Sequence, residues 1–357
     1  MKKYLGFLVC LLVVVSASAA QKPVDIKPAV VTEAVVHDAD DPAVWVNHRN
    51  PEQSLIIGTD KGDGGSGGGL YVFGLDGKIR QKILDVTRPN NVDVEYGFRL
   101  GKKSIDIAVM TDPGSRQLRI YEISPTGRLT EISGNSRTQD KPWGIALYKR
   151  PRDGSIYAIV SPSSGPKEGY LTQYLLKDNR SGKVDAIVVR NFGRFSGTDL
   201  IEAVAVDDAL GYVYYADEST CIRKYHADPD HPAAGKELGT FGAGEYEADR
   251  EGIGIYALAD GTGYVVCTDQ RKNSKYLIYP RAGIPGKPHD HGKAIKIVQG
   301  GANGTDGIEV VSASLGPKFP NGILVAMNSP GRNFFIFDWR TIAGTGKPAL
   351  RPSKNAD

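Results

Sequence analysis

The run Tyr212-Val213-Tyr214-Tyr215-Ala216 is short, apolar and rich in the residue types that favour β-strands, and it is the fourth of six similar runs. A polar loop and another apolar strand follow each run. The six runs start at residues 55, 105, 156, 212, 264 and 323, so neighbouring starts are 50 to 59 residues apart. A period of this length predicts one small structural unit that repeats along the chain.

Each unit contains more than this one strand. A further short strand precedes each run, and these first strands are predicted at residues 42–46, 92–98, 144–148, 203–206, 252–256 and 307–311. A third strand follows each run, and units one to five also show a weaker fourth strand. The pattern predicts an all-β six-bladed β-propeller with four-stranded antiparallel blades. The sixth unit lacks a fourth strand, so residues 29–36 are predicted to supply it and close the ring without an open sheet edge.

Composition excludes several other classes of protein. Of 357 residues, 24% are charged and 40% hydrophobic, which argues against disorder and against a multi-span membrane protein. The 44 basic residues nearly balance the 41 acidic residues, and nucleic-acid binders usually show a clear basic excess. No linker interrupts the repeat, so residues 21–357 are predicted to be a single six-bladed domain.

The first twenty residues have the pattern of an export signal. Lys2 and Lys3 precede an apolar run at residues 5–15, and small residues follow at 16–20. The apolar run is too short to span a bilayer. We therefore predict a signal peptide at residues 1–20 and a secreted or periplasmic monomer without a membrane attachment. The mature chain would keep Cys221 and Cys267, either as a disulfide or as two buried free thiols.

Carboxylates gather where the propeller fold predicts one surface. In this fold the start of the first strand and the end of the second strand of every blade share one face, beside the central channel. The acidic mouth predicted there consists of Asp40, Asp41, Asp93, Glu202, Asp217, Glu218, Asp249, Glu251 and Asp306. Any one of these acids alone would be an ordinary turn residue. Together they predict a bound cation, and a set of oxygen ligands favours several Ca²⁺ ions over zinc.

The loops between second and third strands carry the opposite charge. This basic shelf consists of Lys61, Arg116, Lys167, Arg271 and Lys272. Alone, each is a plausible solvated loop residue, but cations beside Ca²⁺ suit a small polyanionic ligand that carries phosphates. The G-x-S-x-G match at residues 64–68 leads into another strand, whereas a nucleophile elbow needs a strand-to-helix turn.

Five motifs carry a resemblance to a known family. They are D-D-P-A-V-W at 40–45, N-N-V-D at 90–93, E-A-V-A-V-D-D at 202–208, E-G at 251–252 and T-D-G-I at 305–308. From about residue 35 to 340 the chain resembles the β-propeller phytases, a calcium-dependent 3-phytase-like group. The resemblance implies a secreted phosphatase that hydrolyses phytate, myo-inositol hexakisphosphate, to lower inositol phosphates and phosphate by attack of a metal-activated water.

The resemblance also implies residue roles. Calcium ligands of the family match Asp41, Glu202, Glu251 and Asp306, and Asp249 with either Asp217 or Glu218 would add further ligands. Phosphate-binding lysines of the family match Lys61 and Lys167, with Arg116 a looser match. We expect Glu202, Glu251 and Lys61 to be catalytic.

One position departs from the family pattern. Trp143 stands where the family usually has a tyrosine of the calcium site. An indole N–H only donates hydrogen bonds, so Trp143 cannot replace a tyrosine oxygen as a metal ligand, although it could stack on a substrate ring. Two alternatives therefore stay open. One is a non-catalytic, calcium-stabilised binding propeller, and the other is a calcium-dependent lactonase-like or organophosphatase-like hydrolase.

Overall fold

A computed structural model describes residues 21–64 and 67–354. The predicted signal peptide lies outside these residues, and so do two residues of the G-x-S-x-G segment. Among the helices of the described part, none has the length and apolar character needed to cross a membrane.

The described residues form twenty-five strands and little else. Two short strands come first, β1 (Val24–Asp25) and β2 (Val30–Val31). Blade one contains β3 (Ala39–Trp45), β4 (Leu55–Asp60), β5 (Gly68–Gly74) and β6 (Ile79–Val86). Blade two contains β7 (Val92–Leu100), β8 (Lys103–Asp112), β9 (Gln117–Ile123) and β10 (Leu129–Glu131). Blade three contains β11 (Pro142–Lys149), β12 (Ile156–Pro162), β13 (Glu168–Asp178) and β14 (Val184–Arg194).

The second half of the chain repeats this plan. Blade four contains β15 (Val204–Asp207), β16 (Tyr212–Asp217), β17 (Cys221–His226) and β18 (Gly239–Phe241). Blade five contains β19 (Ile253–Ala257), β20 (Gly263–Asp269), β21 (Lys275–Pro280) and β22 (Lys296–Gln299). Blade six contains β23 (Ile308–Val311), β24 (Ile323–Asn328) and β25 (Asn333–Asp338). The helices of the described residues are two 3₁₀ turns, Pro51–Gln53 and Ser329–Gly331, and α1 (Trp339–Gly344).

The first strands of the blades line the centre of the molecule. Each of β3, β7, β11, β15, β19 and β23 contacts the next, and β23 contacts β3 again. The six sheets therefore form a closed ring, and the predicted six-bladed propeller with antiparallel four-stranded blades is confirmed.

The N-terminal residues close the ring. Val30 pairs with Ile336 and Val31 with Phe335, so β2 is the outer strand of blade six, as predicted. A second closure was not predicted: β1 pairs in parallel with β22 and gives blade five a fifth strand. Two residues are too few to show an alternating pattern, so the sequence gives no signal for β1.

Apolar packing between blades explains the sequence of the strands. Among residues 21–64 and 67–354, six buried apolar clusters occur, one between each pair of neighbouring blades. Central strands such as β4 and β5 are buried on both faces and read as continuous apolar runs, whereas outer β6 alternates between partly buried and exposed residues. Cys221 and Cys267 are buried free thiols, which is the second of the two alternatives.

Candidate active site

Three glutamates meet at one end of the channel. Glu202 precedes β15, Glu218 follows β16 and Glu251 precedes β19. The start of a first strand and the end of a second strand face the same way in this fold, so the three carboxylates converge. One oxygen from each lies within 4.8 Å of the others. We call these residues the three-glutamate group, and a buried acidic cluster of this kind can bind a metal ion.

The three-glutamate group has unused oxygen atoms. Within the described part of the chain, the buried atoms Glu218 Oε1 and Glu251 Oε2 have no hydrogen-bond partner. Burial, followed by the charge of Glu202, raises the pKa of Glu218 to about 8. Burial, and then the charges of Glu202 and Glu218, raises the pKa of Glu251 well above its ordinary range. A buried carboxyl group with a raised pKa is stabilised either by a bound proton or by a nearby cation.

Lys61 lies inside the acidic mouth, although the sequence predicted it on the basic shelf of loop residues around the mouth. Its Nζ atom is 2.7 Å from Asp40 Oδ1, 3.6 Å from Asp306 Oδ2 and 3.9 Å from Glu202 Oε1. Burial alone lowers the pKa of Lys61, but the three carboxylates together raise it well above its ordinary value. The lysine therefore stays charged and links blades one, four and six.

Two side chains hold Glu202 in place. Trp143 Nε1 donates to Glu202 Oε2 at 2.7 Å, and Asn90 Nδ2 donates to Glu202 Oε1 at 2.7 Å. The indole N–H, which cannot ligate a metal ion, thus orients a carboxylate that can. Asn90 was not assigned a site role from the sequence, although it stands in the quoted N-N-V-D motif.

Glycines let the inner strands approach each other at this face. A Cβ atom at Gly307 would lie 2.1 Å from Asp41 Oδ1, and one at Gly144 would lie 1.8 Å from the carbonyl oxygen of Glu202. Any other residue would push the neighbouring inner strands apart. The glycine after Asp306 and the one after Trp143 are therefore needed to bring acids of different blades together.

Other acids of the predicted mouth have different surroundings. Asp217 Oδ2 accepts from Arg223 Nε at 3.0 Å and Nη2 at 2.8 Å, and its Oδ1 accepts from Ser196 Oγ at 2.7 Å. Of the two residues left open by the sequence, Glu218 thus joins the three-glutamate group, while Asp217 is bound elsewhere. The charge of Asp249 contributes to the raised pKa of Glu218, after burial and the charge of Glu202.

Asp41 and Asp93 line the channel itself, around a cavity of about 210 Å³. Asp41 Oδ2 accepts from the Val92 N–H at 2.9 Å. The two oxygens of Asp93 accept from the N–H groups of Val94 and Leu147, both at 2.6 Å. Burial raises the pKa of Asp93 to about 7 despite these two bonds. The ligand roles of Asp41, Asp93 and Asp217 stay predictions.

The basic residues divide into exposed and paired ones. Arg116, Lys167 and Lys272 are exposed on their loops, and Arg271 forms an ion pair with Glu247. Arg250, between Asp249 and Glu251, is buried and not solvated. Its guanidinium donates to the carbonyl oxygens of Glu218 and Gly242 and so braces the loop that carries Glu218.

Comparison with known proteins shows the family of this chain. The Phytase family model matches residues 5–345. The chain belongs to the phytase family. Within curated proteins, the 3-phytase of Bacillus subtilis (strain 168) is 33% identical over 324 residues, which cover 85% of this chain and 80% of that protein. The predicted family and enzyme class are confirmed, and neither a binding propeller nor a lactonase is supported by these matches.

Similarity to solved structures of lower identity adds nothing to the phytase assignment. Two crystal structures of BBS1N in complex with ARL6DN match the chain, one soaked with lead and one with mercury. The first is 9% identical and covers 91% of this chain and 99% of that chain, with a TM-score of 0.47. The second is 10% identical and covers 83% and 76%, with a TM-score of 0.44. TM-scores this low support no conclusion about the function of this chain.

Proposed function

We propose that this phytase-family enzyme releases phosphate from phytate with the help of Ca²⁺ ions held at the acidic mouth. The observation that supports calcium is the three-glutamate group, which contains two buried carboxylate oxygens without partners among the described residues. These residues offer oxygen ligands and no nitrogen or sulfur, as Ca²⁺ prefers. The further ligands proposed are Asp41, Asp93, Asp249 and Asp306, whereas both oxygens of Asp217 are held by Arg223 and Ser196.

The protein's own residues would position the substrate and the ions. Bound Ca²⁺ would supply a Lewis acid that polarises the phosphate and makes a water more acidic. Trp143 and Asn90 fix Glu202, and Glu251 Oε2 is free to bind the cation or to accept a proton. Lys61 offers a positive charge beside the attacked phosphate. Arg116 and Lys167, both exposed, would bind other phosphates of the substrate, and Trp143 would contact its ring.

Phosphate release from calcium phytate by the purified mature protein, with and without chelator, tests this proposal. We expect release that needs Ca²⁺ and stops when the chelator is in excess. Absence of release at any pH, with calcium bound and the fold intact, would refute the phytase activity. Release that is unchanged by the chelator would refute the calcium requirement alone.

We also propose that residues 1–20 direct export and that residues 21–357 act as a monomeric secreted or periplasmic domain. Support comes from the basic start, the apolar run and the small residues that follow it. N-terminal sequencing of the exported protein should begin just after residue 20. Light scattering should give the mass of one chain, and a dimer mass would contradict the monomer.

In the absence of Ca²⁺, the free energy of unfolding is expected to fall as the pH rises from about 5 to about 8. The pKa of Glu218 is raised to about 8 in the folded state, while an unfolded glutamate has a pKa of about 4.3. Between these pH values the folded state binds more protons than the unfolded state. The free energy of unfolding therefore falls as the folded state loses these protons. Added Ca²⁺ at about 100 times its Kd should restore about 2.7 kcal/mol.

Thermal unfolding in chelator or in Ca²⁺ at several pH values measures this effect. Glu218→Gln removes one of the titrating groups, so its melting temperature in chelator should fall less steeply with pH than that of the wild type. A wild-type melting temperature that rises with pH in chelator would contradict the assignment.

The indole N–H of Trp143 is expected to matter for turnover. Trp143→Phe keeps an aromatic ring but removes the hydrogen bond to Glu202 Oε2, so kcat on phytate should fall by about tenfold. Trp143→Tyr should retain more activity than Trp143→Phe, because a hydroxyl can donate to Glu202. A Trp143→Tyr rate above wild type would mark Trp143 as the source of a deficit. Equal rates for Trp143→Phe and wild type would show that the hydrogen bond is not used.

A further inference from the structure

The second strand of five blades ends on a buried Asp or Asn side chain. These side chains are at most 7% exposed, and each accepts a hydrogen bond from the backbone N–H of a residue ahead of the first strand of its own blade. We call them the clamp residues, and they are Asp60, Asp112, Asp217, Asp269 and Asn328. The segments that they hold lead into the acids of the mouth.

Asp269 holds the segment of blade five. Its Oδ1 atom accepts from the N–H of Glu247 at 3.1 Å and from the N–H of Ala248 at 2.8 Å. Asp249 follows directly, and Glu251 of the three-glutamate group comes two residues later. One buried oxygen therefore fixes the backbone immediately ahead of two acids of the mouth.

Asp60 holds the segment of blade one with both of its oxygens. Oδ2 accepts from the N–H groups of Val36 and His37, both at 3.1 Å. Oδ1 accepts from the N–H of Asp38 at 2.9 Å and from the N–H of Gly62 at 3.0 Å. The held segment ends two residues before the first acid of the mouth.

The remaining clamps each hold one N–H ahead of the first strand. The pairs are Asp112 with Arg88 at 3.4 Å, Asp217 with Ser196 at 2.8 Å, and Asn328 with Asn303 at 3.1 Å. Asn328 has no charge and accepts through its amide oxygen. The feature shared by the clamps is therefore a buried oxygen acceptor, and a carboxylate is not required.

Blade three separates this pattern from general support of the fold. This blade is described throughout and has no clamp residue, because its second strand ends on Pro162. Its segment ahead of β11 is held by a backbone bond, from the Ser163 N–H to the Lys141 carbonyl oxygen at 2.9 Å. Blade three also contributes none of the acids that define the mouth, whereas each of the five clamped blades contributes at least one. Clamps and mouth acids thus occur in the same blades.

We propose that the clamp residues are positioning residues for cation binding, which hold the carboxylates of the mouth in place before the cation binds. This inference rests on the proposed function. Carboxylates that are gathered without a cation repel one another. A segment tied to a buried oxygen cannot yield to this repulsion without leaving its own N–H groups unpaired, which is costly. The clamps would therefore lower the free energy needed to assemble the site.

Asp269→Ala tests the clamp of blade five. The affinity of the mouth for a cation should fall by about tenfold, as is typical when a residue that supports a metal ligand is lost. The probe is Tb³⁺, which takes oxygen ligands as Ca²⁺ does. Its luminescence, excited through Trp143, reports binding next to Glu202. Phosphate release from phytate at limiting Ca²⁺ should fall in parallel.

The same conservative substitution at two clamps should give different results. Asp269→Asn keeps one oxygen, and both N–H groups donate to a single oxygen, so the Tb³⁺ affinity should stay within about twofold of the wild type. Asp60→Asn should lower the affinity by about tenfold, because its NH₂ group would face two N–H donors. Both variants lose one negative charge, so a difference between them reports hydrogen bonding. They also decide the question if Asp269→Ala does not fold.

Asp106→Ala is the matched control. Asp106 accepts from the Gly97 N–H at 3.2 Å and from Trp45 Nε1 at 3.0 Å, but it lies toward the end of β8 opposite to Asp112. The melting temperature of this variant should fall because two hydrogen bonds are lost. Its Tb³⁺ affinity and its phosphate release should equal those of the wild type.

Several outcomes would overturn the inference. If Asp269→Ala melts like Asp106→Ala but binds Tb³⁺ like the wild type, the clamps only support the fold. Equal losses of affinity in Asp269→Asn and Asp60→Asn would show that charge matters and would contradict the role as hydrogen-bond acceptors. If the clamp variants weaken Tb³⁺ binding as expected but the wild type releases no phosphate from phytate, the proposed function fails and the clamps stand. If the wild type releases phosphate and no clamp variant changes the Tb³⁺ affinity, the clamps fail alone.

Discussion

Glu202→Gln is expected to reduce phosphate release from phytate at least about 100-fold, the largest loss of any single change in the protein. Loss of a residue that only supports a metal ligand typically costs about 10–100-fold, and Glu202 belongs to the three-glutamate group itself. Both of its oxygens accept hydrogen bonds, from Asn90 and from Trp143. A glutamine at this position must point its NH₂ group at one of these donors, so it loses orientation as well as charge.

Steady-state kinetics on calcium phytate measures the loss of turnover, and calorimetry of Ca²⁺ binding measures the loss of metal affinity. Glu52→Gln is the control, because Glu52 is exposed on the 3₁₀ turn Pro51–Gln53, away from the mouth. Its rate should equal the wild-type rate. Normal turnover by Glu202→Gln at every calcium concentration would rule out the assigned role of Glu202, even if the phytase activity is real.

Lys61→Met is expected to have the second largest effect, on both activity and stability. Activity should fall about 100-fold, because the substrate loses the cation closest to the acidic mouth. The free energy of unfolding should fall by about 3 kcal/mol at neutral pH, because Asp40 is fully buried and its ion pair with Lys61 is lost.

A double variant separates these two effects. Asp40→Asn combined with Lys61→Met removes both members of the buried pair, so it should recover much of the lost stability while activity stays low. Lys61→Arg, which keeps the positive charge, should be the most stable of the Lys61 variants. Recovery of full activity in the double variant would mean that Lys61 only neutralises Asp40 and takes no part in the reaction.

The sequence predicted the architecture well because the architecture depends on periodicity. Apolar runs about fifty residues apart are enough to count six blades, and the missing fourth strand of blade six is enough to assign β2 as the closing strand. The convergence of Glu202 and Glu251 followed from the same topology, since both precede first strands.

Contacts between side chains of different blades could not be predicted in this way. The position of Lys61 within the acidic mouth, the bond from Trp143 to Glu202 and the burial of Arg250 each depend on distances across the ring. These distances are set by how closely inner strands approach, and at this face that approach depends on glycines such as Gly307. A single sequence shows the glycine but not the neighbour that needs the space.

Ring closure through β2 also determines when the site can form during synthesis. Val30 and Val31 are made early, but their partners Ile336 and Phe335 come about three hundred residues later. The acidic mouth combines Asp40 of blade one with Asp306, just ahead of blade six, through Lys61. A growing chain therefore cannot assemble the mouth blade by blade. Activity should appear only after the last blade has been made, which delays it until the chain is almost complete.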